Sequence, residues 1–502
     1  MGTGLAHRGE CMPVAIIVAF DVGLLALAVR RPWLGLTILL AGIPFNGFLL
    51  DVIAGGLGLS DTATTALAAW HDALSIGIGV AALSHLLRSR TRSLTLIEWL
   101  AGAMLAFGIV AIAISPYRLT ALYEYRTLYV PPVLALSLVL LARAGTMPDG
   151  LPQRAARVIV GSGVAAALFA GWQVYVGGAS YLNLYFRMAD GRLPAAYFSA
   201  FVAQPRAFGP FHSPNEFGAY LGMTIGCLLV PGLLGIRPVL RSWLLVPIGL
   251  ALLLTLSRSA WISTAAIVVM TMLLAWPGRP ARSALRSTWT FVRGREAWIR
   301  HGLPVVVFVT AAAAILSSSG AATFIGATVT GHEPSAEYRA HLFQDAVQAL
   351  LAPEPSATPA TSPDPGSPGA PVVLKPRISL LGMGLGTAGP KSARFGESGS
   401  DPAISSETWY VNYLLQVGVV GLTILVVFVL AIVARLWRSR TVPWSQAAVA
   451  IGLGLAIGAV GIPVIDEPAV AIPLWSILGL GLLLAERDRR RSEATGAAPA
   501  IS

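Results

Sequence analysis

Three short segments hold the polar residues whose types and order could do chemistry in an otherwise apolar chain. The first, Tyr181 to Tyr220, ends in Arg206-Ala-Phe-Gly-Pro-Phe-His212-Ser-Pro-Asn215-Glu-Phe-Gly-Ala-Tyr220. Gly209, Pro210 and Pro214 force turns there, which sets Arg206, His212 and Asn215 just ahead of an apolar helix. The second is Thr255-Leu-Ser257-Arg258-Ser259-Ala-Trp261, which splits a long apolar stretch. A stretch of that length must cross a membrane twice. Arg258 then lies at the turn, where an arginine faces either the interface or a polar cavity among helices. The third begins at Ser335, a candidate cap for a short helix over 335–351 in which Arg339 lies near the apolar face of Leu342, Ala346 and Leu350. Each segment also has a plainer reading. Asn and Ser near a helix start are ordinary caps, and an arginine at a turn can simply snorkel to the interface.

The elements that must position these residues are membrane helices. Of 502 residues, 55% are hydrophobic and 12% are charged, against about 25% charged in soluble domains. Apolar stretches recur at roughly 13–29, 33–50, 71–87, 94–114, 128–143, 155–176, 216–235, 240–256, 260–276, 303–318, 409–434, 446–465 and 469–485. A helix crosses the hydrocarbon core with about 20 such residues. The expected fold is therefore all-α, a polytopic membrane helix bundle of about 12–13 transmembrane helices with a large extracytoplasmic loop.

Arginine placement predicts the orientation, because cationic loops stay on the cytoplasmic side. Arg30 and Arg31, Arg88 to Arg92, Arg143 to Arg157, Arg237 and Arg241, the arginines from Arg279 to Arg300, Arg435 to Arg440 and Arg487 to Arg491 fall in alternate loops and the tail. The long segments 177–215 and 319–408 then face outward. This topology, with anionic lipid, accounts for the net charge of +11 without a nucleic-acid partner.

The organisation expected is N-terminal helices over 1–318 with the outer segment 177–215, a large outer loop over 319–408, C-terminal helices over 409–485 and a cytoplasmic tail over 486–502. Within the loop, the proline-dense stretch 352–376 reads as a disordered insertion. Leu380-Leu-Gly382-Met-Gly384-Leu-Gly386-Thr387 is a glycine run suited to a tight backbone path. It lacks the strand and helix that a dinucleotide fingerprint needs. The start of the chain has no basic n-region or cleavage site, so the first helix is expected to stay as an anchor. The two cysteines, Cys11 and Cys227, make neither a disulfide framework nor a metal cluster, and no phosphate-cradling loop supports ATP hydrolysis.

The order of these pieces resembles the O-antigen ligase and O-antigen polymerase superfamily of bacterial polysaccharide assembly. The matching residues are Arg206 to Tyr220 before a helix, the Ser257-Arg258 turn, Arg339 opening the outer loop, the Gly382 to Thr387 run, and Ser406-Glu407-Thr-Trp409-Tyr410-Val-Asn-Tyr413-Leu-Leu-Gln416-Val-Gly418-Val-Val-Gly421 entering the next helix. The likeness covers roughly residues 200–425, and the rest only by helix count.

The resemblance implies a glycosyltransferase of the bacterial inner membrane, with its site on the extracytoplasmic side. It would move a glycan from a polyprenyl-diphosphate carrier to an acceptor saccharide hydroxyl, with no cofactor and no metal. Arg258 and Arg339 correspond to the arginines that handle the diphosphate, since Arg offers bidentate donors matched to phosphate oxygens. Arg206, His212, Asn215 and Tyr410 join them as expected contacts to the lipid diphosphate or glycan. In O-antigen ligases a histidine followed by asparagine typically opens the helix after the large loop. Here Glu407 holds that place, so it becomes the expected base, and the departure leans away from the ligase subtype toward a polymerase or a more distant member. A carboxylate at a helix start also serves as an N-terminal charge with no chemistry. The competing class is a polytopic transporter or a flippase for lipid-linked saccharides, which should place ionisable residues near helix midpoints. Asp21 is the only acidic residue clearly inside an expected span.

Overall fold

The computed structural model describes residues 3–54, 56–88, 95–178, 198–199, 202–275, 303–318, 379–389, 408–461 and 464–494. Fourteen α-helices carry these residues: α1 Thr3–Arg30, α2 Pro32–Gly42, α3 Asp61–Leu67, α4 Trp70–Arg88, α5 Leu96–Ile114, α6 Arg118–Arg143, α7 Leu151–Trp172, α8 Pro214–Leu229, α9 Pro238–Leu254, α10 Arg258–Ala275, α11 Leu303–Ser318, α12 Trp409–Arg438, α13 Pro443–Gly458 and α14 Pro468–Ala494. A single turn of 3-10 helix and a π-helical segment, Phe48–Ala54, continue α2, and the only ribbon among the described residues pairs β1, Phe198–Ser199, with β2, Val202–Pro205. The chain is a polytopic membrane helix bundle.

Each apolar stretch read from the sequence contains a helix, but length separates them. Among the described residues eight helical stretches are long and apolar enough to cross a membrane, or nine with Pro32–Phe45 and Phe48–Ala54 taken as one span bent by 64°. The expected 12–13 exceeds this because α8, α9, α11 and α13 have only 16 or 17 residues, at or below the lower limit for a straight crossing. Two further differences matter for function. The span expected at 128–143 starts ten residues earlier, at Arg118, and so takes Glu124 and Arg126 into a helix. The span expected at 33–50 is broken near Pro44 and Asn46.

The ends of the helices follow from local chemistry. Thr95 and Glu98 form a capping box at α5, with the Thr95 amide donating to the Glu98 carboxylate at 2.6 Å. Proline occupies the first helical position of α2, α8, α9 and α13, where its missing N–H costs nothing. The membrane window of α14 is 83% buried and that of α1 only 6%, so α14 lies inside the bundle while α1 lies on its periphery.

Close packing places α8 against α10 and α13. A Cβ added to Gly218 would sit 2.5 Å from the Ala260 Cβ, one on Gly222 would sit 2.7 Å from the Thr264 hydroxyl, and one on Gly226 would sit 2.6 Å from Ile451. With little hydrophobic drive between helices in lipid, such small-residue contacts let backbones approach and gain dispersion energy. They fix the start of α8 beside the start of α10.

Candidate functional site

The start of α8 is built by a short-range cap. Ser213 accepts a hydrogen bond from the Glu216 amide at 3.2 Å, and its hydroxyl donates to the Glu216 carboxylate at 3.0 Å. The turn leading into it is clasped by other elements. The Phe208 and Gly209 amides donate to the side-chain oxygen of Gln173 at 3.3 and 2.9 Å, and the Phe48 amide donates to the Pro210 carbonyl at 3.0 Å. Gly47 must be glycine here, because a Cβ would come within 2.7 Å of the Phe211 backbone.

Arg206 ties this turn to the next. Its Nε donates to the Thr255 carbonyl at 2.9 Å, and its terminal nitrogen donates to the Asn215 side-chain oxygen at 3.2 Å and to the Leu256 carbonyl at 3.3 Å. The same Asn215 oxygen accepts from the Ser257 hydroxyl at 2.8 Å. Leu256 has φ 48°, the only positive φ of a non-glycine among the described residues. Holding a buried leucine in that region costs about 1–3 kcal/mol, a strain typical of functional turns. Arg258 follows as the first residue of α10, partly buried. The N-termini of α8 and α10 thus meet across Asn215 and Ser257, and the two parallel helices present the positive ends of their dipoles side by side.

His212 faces Asp51 of the π-helical segment at 2.7 Å. Burial alone would lower the imidazole pKa, but the Asp51 carboxylate, with smaller contributions from Glu216 and Glu467, raises it to about 9. The Asp51 carboxylate thus favours the cationic form of His212, beside Arg206 and Arg258 near the turns.

The glycine run over residues 379–389 is threaded through a break in α12. Gly418 has φ 66° and interrupts the helix, and Gly382, Gly384, Gly386 and Gly389 all have positive φ. The Met383 and Gly384 amides donate to the Leu415 and Gln416 carbonyls at 2.9 and 3.0 Å, while the Val419 and Val420 amides donate to the Ser379 and Leu380 carbonyls at 3.2 and 3.1 Å. Gln416 closes the loop from its side chain, accepting from the Gly386 amide and donating to the Ala388 carbonyl, both at 2.8 Å. A Cβ on Gly382 would collide with the Gln416 carbonyl, and one on Gly384 would meet Ser115 at 2.5 Å.

These parts share one end of the bundle. The Trp409 amide donates to the Ala459 carbonyl at 3.3 Å, and a Cβ on Gly461 would lie 3.7 Å from the Ser259 Cβ, so the start of α12, the end of α13 and the start of α10 are neighbours. Tyr410 hangs on this junction through its hydroxyl, which donates to the Ala456 carbonyl at 2.7 Å, and Trp409 stacks on Tyr413 with centroids 5.0 Å apart. Below the two aromatics an apolar cavity of about 240 Å³ runs between α6, α12, α13 and α14 as far as Ile432 and Val433, with Asp466 in its lining. No protein-family model matches the chain, and no curated protein matches it significantly.

Of the residues singled out in the sequence, Arg206, His212, Asn215 and Arg258 therefore lie around one pair of turns, and Tyr410 lies across α13 from them. Arg339, with the helix expected over 335–351, the insertion 352–376 and Glu407 lie outside the described residues. Among the described residues no group of three or more His, Cys, Asp or Glu side chains is placed to hold a metal ion.

Two features escaped the sequence reading. Gly218, Gly222 and Gly226 form a four-residue repeat that was legible as a helix-packing face. A buried polar cluster also joins three helices. Arg126 of α6 contacts Asp72 of α4 at 3.1 Å, His71 lies 3.3 Å from the same carboxylate, and Asp21 of α1 lies within electrostatic range of both. Expecting α6 to begin at 128 hid Arg126 from view.

Proposed function

We propose that this chain is a membrane glycosyltransferase of the O-antigen ligase and polymerase type, acting on a polyprenyl-diphosphate-linked glycan at the outer face of a bacterial inner membrane. The observation that carries the reading is the meeting, at one end of the bundle, of segments far apart in sequence: the Arg206 to Asn215 turn, the Ser257-Arg258 turn, the glycine run and the start of α12. Two helix N-termini and an arginine at membrane depth suit a lipid diphosphate, which is anionic and must be held without water. The apolar cavity under Trp409 and Tyr410 has the chemistry of a polyprenyl tail.

In the reaction, the acceptor hydroxyl oxygen forms a bond to the anomeric carbon while the bond to the diphosphate oxygen breaks. The electron pair of that bond leaves with the diphosphate. Arg258, with Arg339, stabilises the growing negative charge, and Glu407 takes the hydroxyl proton. Arg206 acts through the turn, since its guanidinium is bonded to the Thr255 and Leu256 carbonyls and to Asn215.

The test is in vitro glycan transfer by the purified chain, with donor binding measured separately. Glu407→Gln should lose about 10²–10⁴ in rate, as general-base loss typically does, with donor binding intact. Arg258→Lys should weaken donor binding, because an ammonium lacks the planar fork. Transfer by Glu407→Gln at the wild-type rate would remove the carboxylate from the chemistry.

A second reading, a transporter or flippase, is favoured by the Asp21, His71, Asp72 and Arg126 cluster, since intramembrane ionisable groups often mark a translocation path. Asp72→Asn discriminates between the two. It should leave glycan transfer unchanged in a transferase, whereas substrate flux in proteoliposomes that Asp72→Asn abolishes would establish the transporter.

A further inference from the structure

At the end of the bundle away from the candidate site, four helices enclose a charged cavity. The start of α5 and the ends of α6, α12 and α14 surround a space of about 430 Å³. Arg143, Arg435, Arg438 and Arg489 line it against two carboxylates, Glu98 and Glu486. Arg143 engages both carboxylates, its Nε lying 2.9 Å from Glu486, and Arg490 also bonds Glu486. The carboxylates are therefore already paired. The side chains of Arg435 and Arg438 make no hydrogen bond or ion pair among the described residues, and Arg435 faces the like charges of Arg489, Arg438 and Arg143 against the single carboxylate of Glu486, which Arg143 and Arg490 already hold. Clustering arginines this way is unfavourable unless an anion joins them.

The surroundings say what kind of anion. Leu136, Val139, Ala431 and Leu482 form the inner wall, which suits acyl chains and not a free ion. Trp99, one residue from Glu98, is 64% exposed, and Trp437, one residue from Arg438, is 43% exposed. Exposed tryptophans flanking a helix end mark headgroup depth. The arginines belong to the loops expected on the cytoplasmic side, where anionic lipids are abundant and basic pockets between helices hold their headgroups.

We infer that this cavity binds the phosphodiester headgroup of an anionic phospholipid of the cytoplasmic leaflet, with Arg435 and Arg438 as its principal ligands. Each guanidinium can give two parallel N–H bonds to phosphate oxygens, and the inner wall receives the first part of the acyl chains. The site is separate from the outer-face chemistry and holds whichever reaction that face performs.

The experiment measures the thermal unfolding midpoint of the full chain in detergent, with mixed micelles containing phosphatidylglycerol or phosphatidylcholine at equal concentration. The wild type should be stabilised by phosphatidylglycerol over phosphatidylcholine, and sn-glycerol 3-phosphate at the same concentration should have no effect. Arg435→Gln with Arg438→Gln should lose the difference between the lipids. Arg237→Gln with Arg241→Gln, which removes the same charge from the N-cap and first turn of α9 outside the cavity, should keep it. Ala434→Trp fills the cavity without changing charge, so it tests the site even if the double arginine variant fails to fold, and it too should lose the difference. Equal stabilisation by the two lipids overturns the inference. So does an undiminished response in Ala434→Trp, an equal loss in the α9 variant, or full stabilisation by glycerol phosphate, which would make this a free-phosphate site.

Discussion

The two ends of this bundle satisfy their polar groups in different ways. At the end with the candidate site, side chains mostly pair with backbone: Arg206 with the Thr255 and Leu256 carbonyls, Gln173 with the Phe208 and Gly209 amides, Gln416 with Gly386 and Ala388, and Ser115 with the Leu385 carbonyl at 2.7 Å. At the other end charge pairs with charge, Arg143 with Glu98 and Glu486, and Arg490 with Glu486. A side chain bonded to backbone fixes the path of a loop, as a reacting site requires. An ion pair between helix ends fixes only which helices are neighbours. The first arrangement should tolerate little change in backbone shape, and the second little change in charge.

The largest expected effect tests the first half of that contrast. Gly382→Val puts a branched side chain at φ 78° against the Gln416 carbonyl and the Gly418 amide. It should cost more than about 4 kcal/mol, the range of severe backbone disruption, and leave little monodisperse protein on size-exclusion chromatography. Gly389→Ala is also strained by a positive φ, 93°, but the nearest atom to its Cβ would be on the Asn412 side chain at 3.4 Å, so it should be milder. Equal behaviour of the two would show that the threaded path is not what specifies this end.

Next in size is Arg143→Ala at the opposite end. It strands Glu98, whose side chain is 7% exposed, beside Glu486, and breaking a buried pair from one side typically costs about 3–5 kcal/mol. Arg143→Ala with Glu98→Ala should recover part of the loss in the thermal midpoint, because the charge and not the shape is what matters there. A double variant no better than the single one would put this end under the same backbone constraint as the other.

The smallest effect concerns the His212–Asp51 ion pair at the candidate site. The folded His212 pKa is raised to about 9, above the ordinary 6.5. Its contribution to stability is then fully present below pH 6.5 and is lost as pH rises through about 9. Solvent reaches 39% of the His212 side chain, so screening keeps the effect modest. Unfolding midpoints measured from pH 6 to 9.5 should fall more steeply for the wild type than for Asp51→Asn. Parallel curves would show that the pair adds nothing.

Much of the scaffold was legible because lipid imposes one rule, that apolar stretches of sufficient length become helices. The Ser257-Arg258 turn and the tight path of the glycine run were legible for local reasons, a polar interruption and residues that accept positive φ. The φ of Leu256 was not, since nothing about a leucine announces it; the conformation is imposed by Arg206 reaching the carbonyls on either side. The start of α6 at Arg118 was hidden by Glu124 and Arg126, which look like loop residues until Asp72 of another helix is seen to pair with Arg126. Burial was equally hidden. Mean hydropathy is 2.4 for the α1 window and 2.0 for that of α14, yet α14 is central and α1 peripheral, because hydropathy cannot distinguish contact with lipid from contact with other helices.

The break at Gly418 makes the glycine run a splint. Interrupting a membrane helix exposes donors and acceptors that cost several kcal/mol each in hydrocarbon, and here the Leu415 and Gln416 carbonyls and the Val419 and Val420 amides are all met by residues 379–384. Peeling that segment away would bare both sides of the fracture at once. Movement of the chain ahead of this segment must therefore pivot before Ser379 if the splint is to stay on the helix.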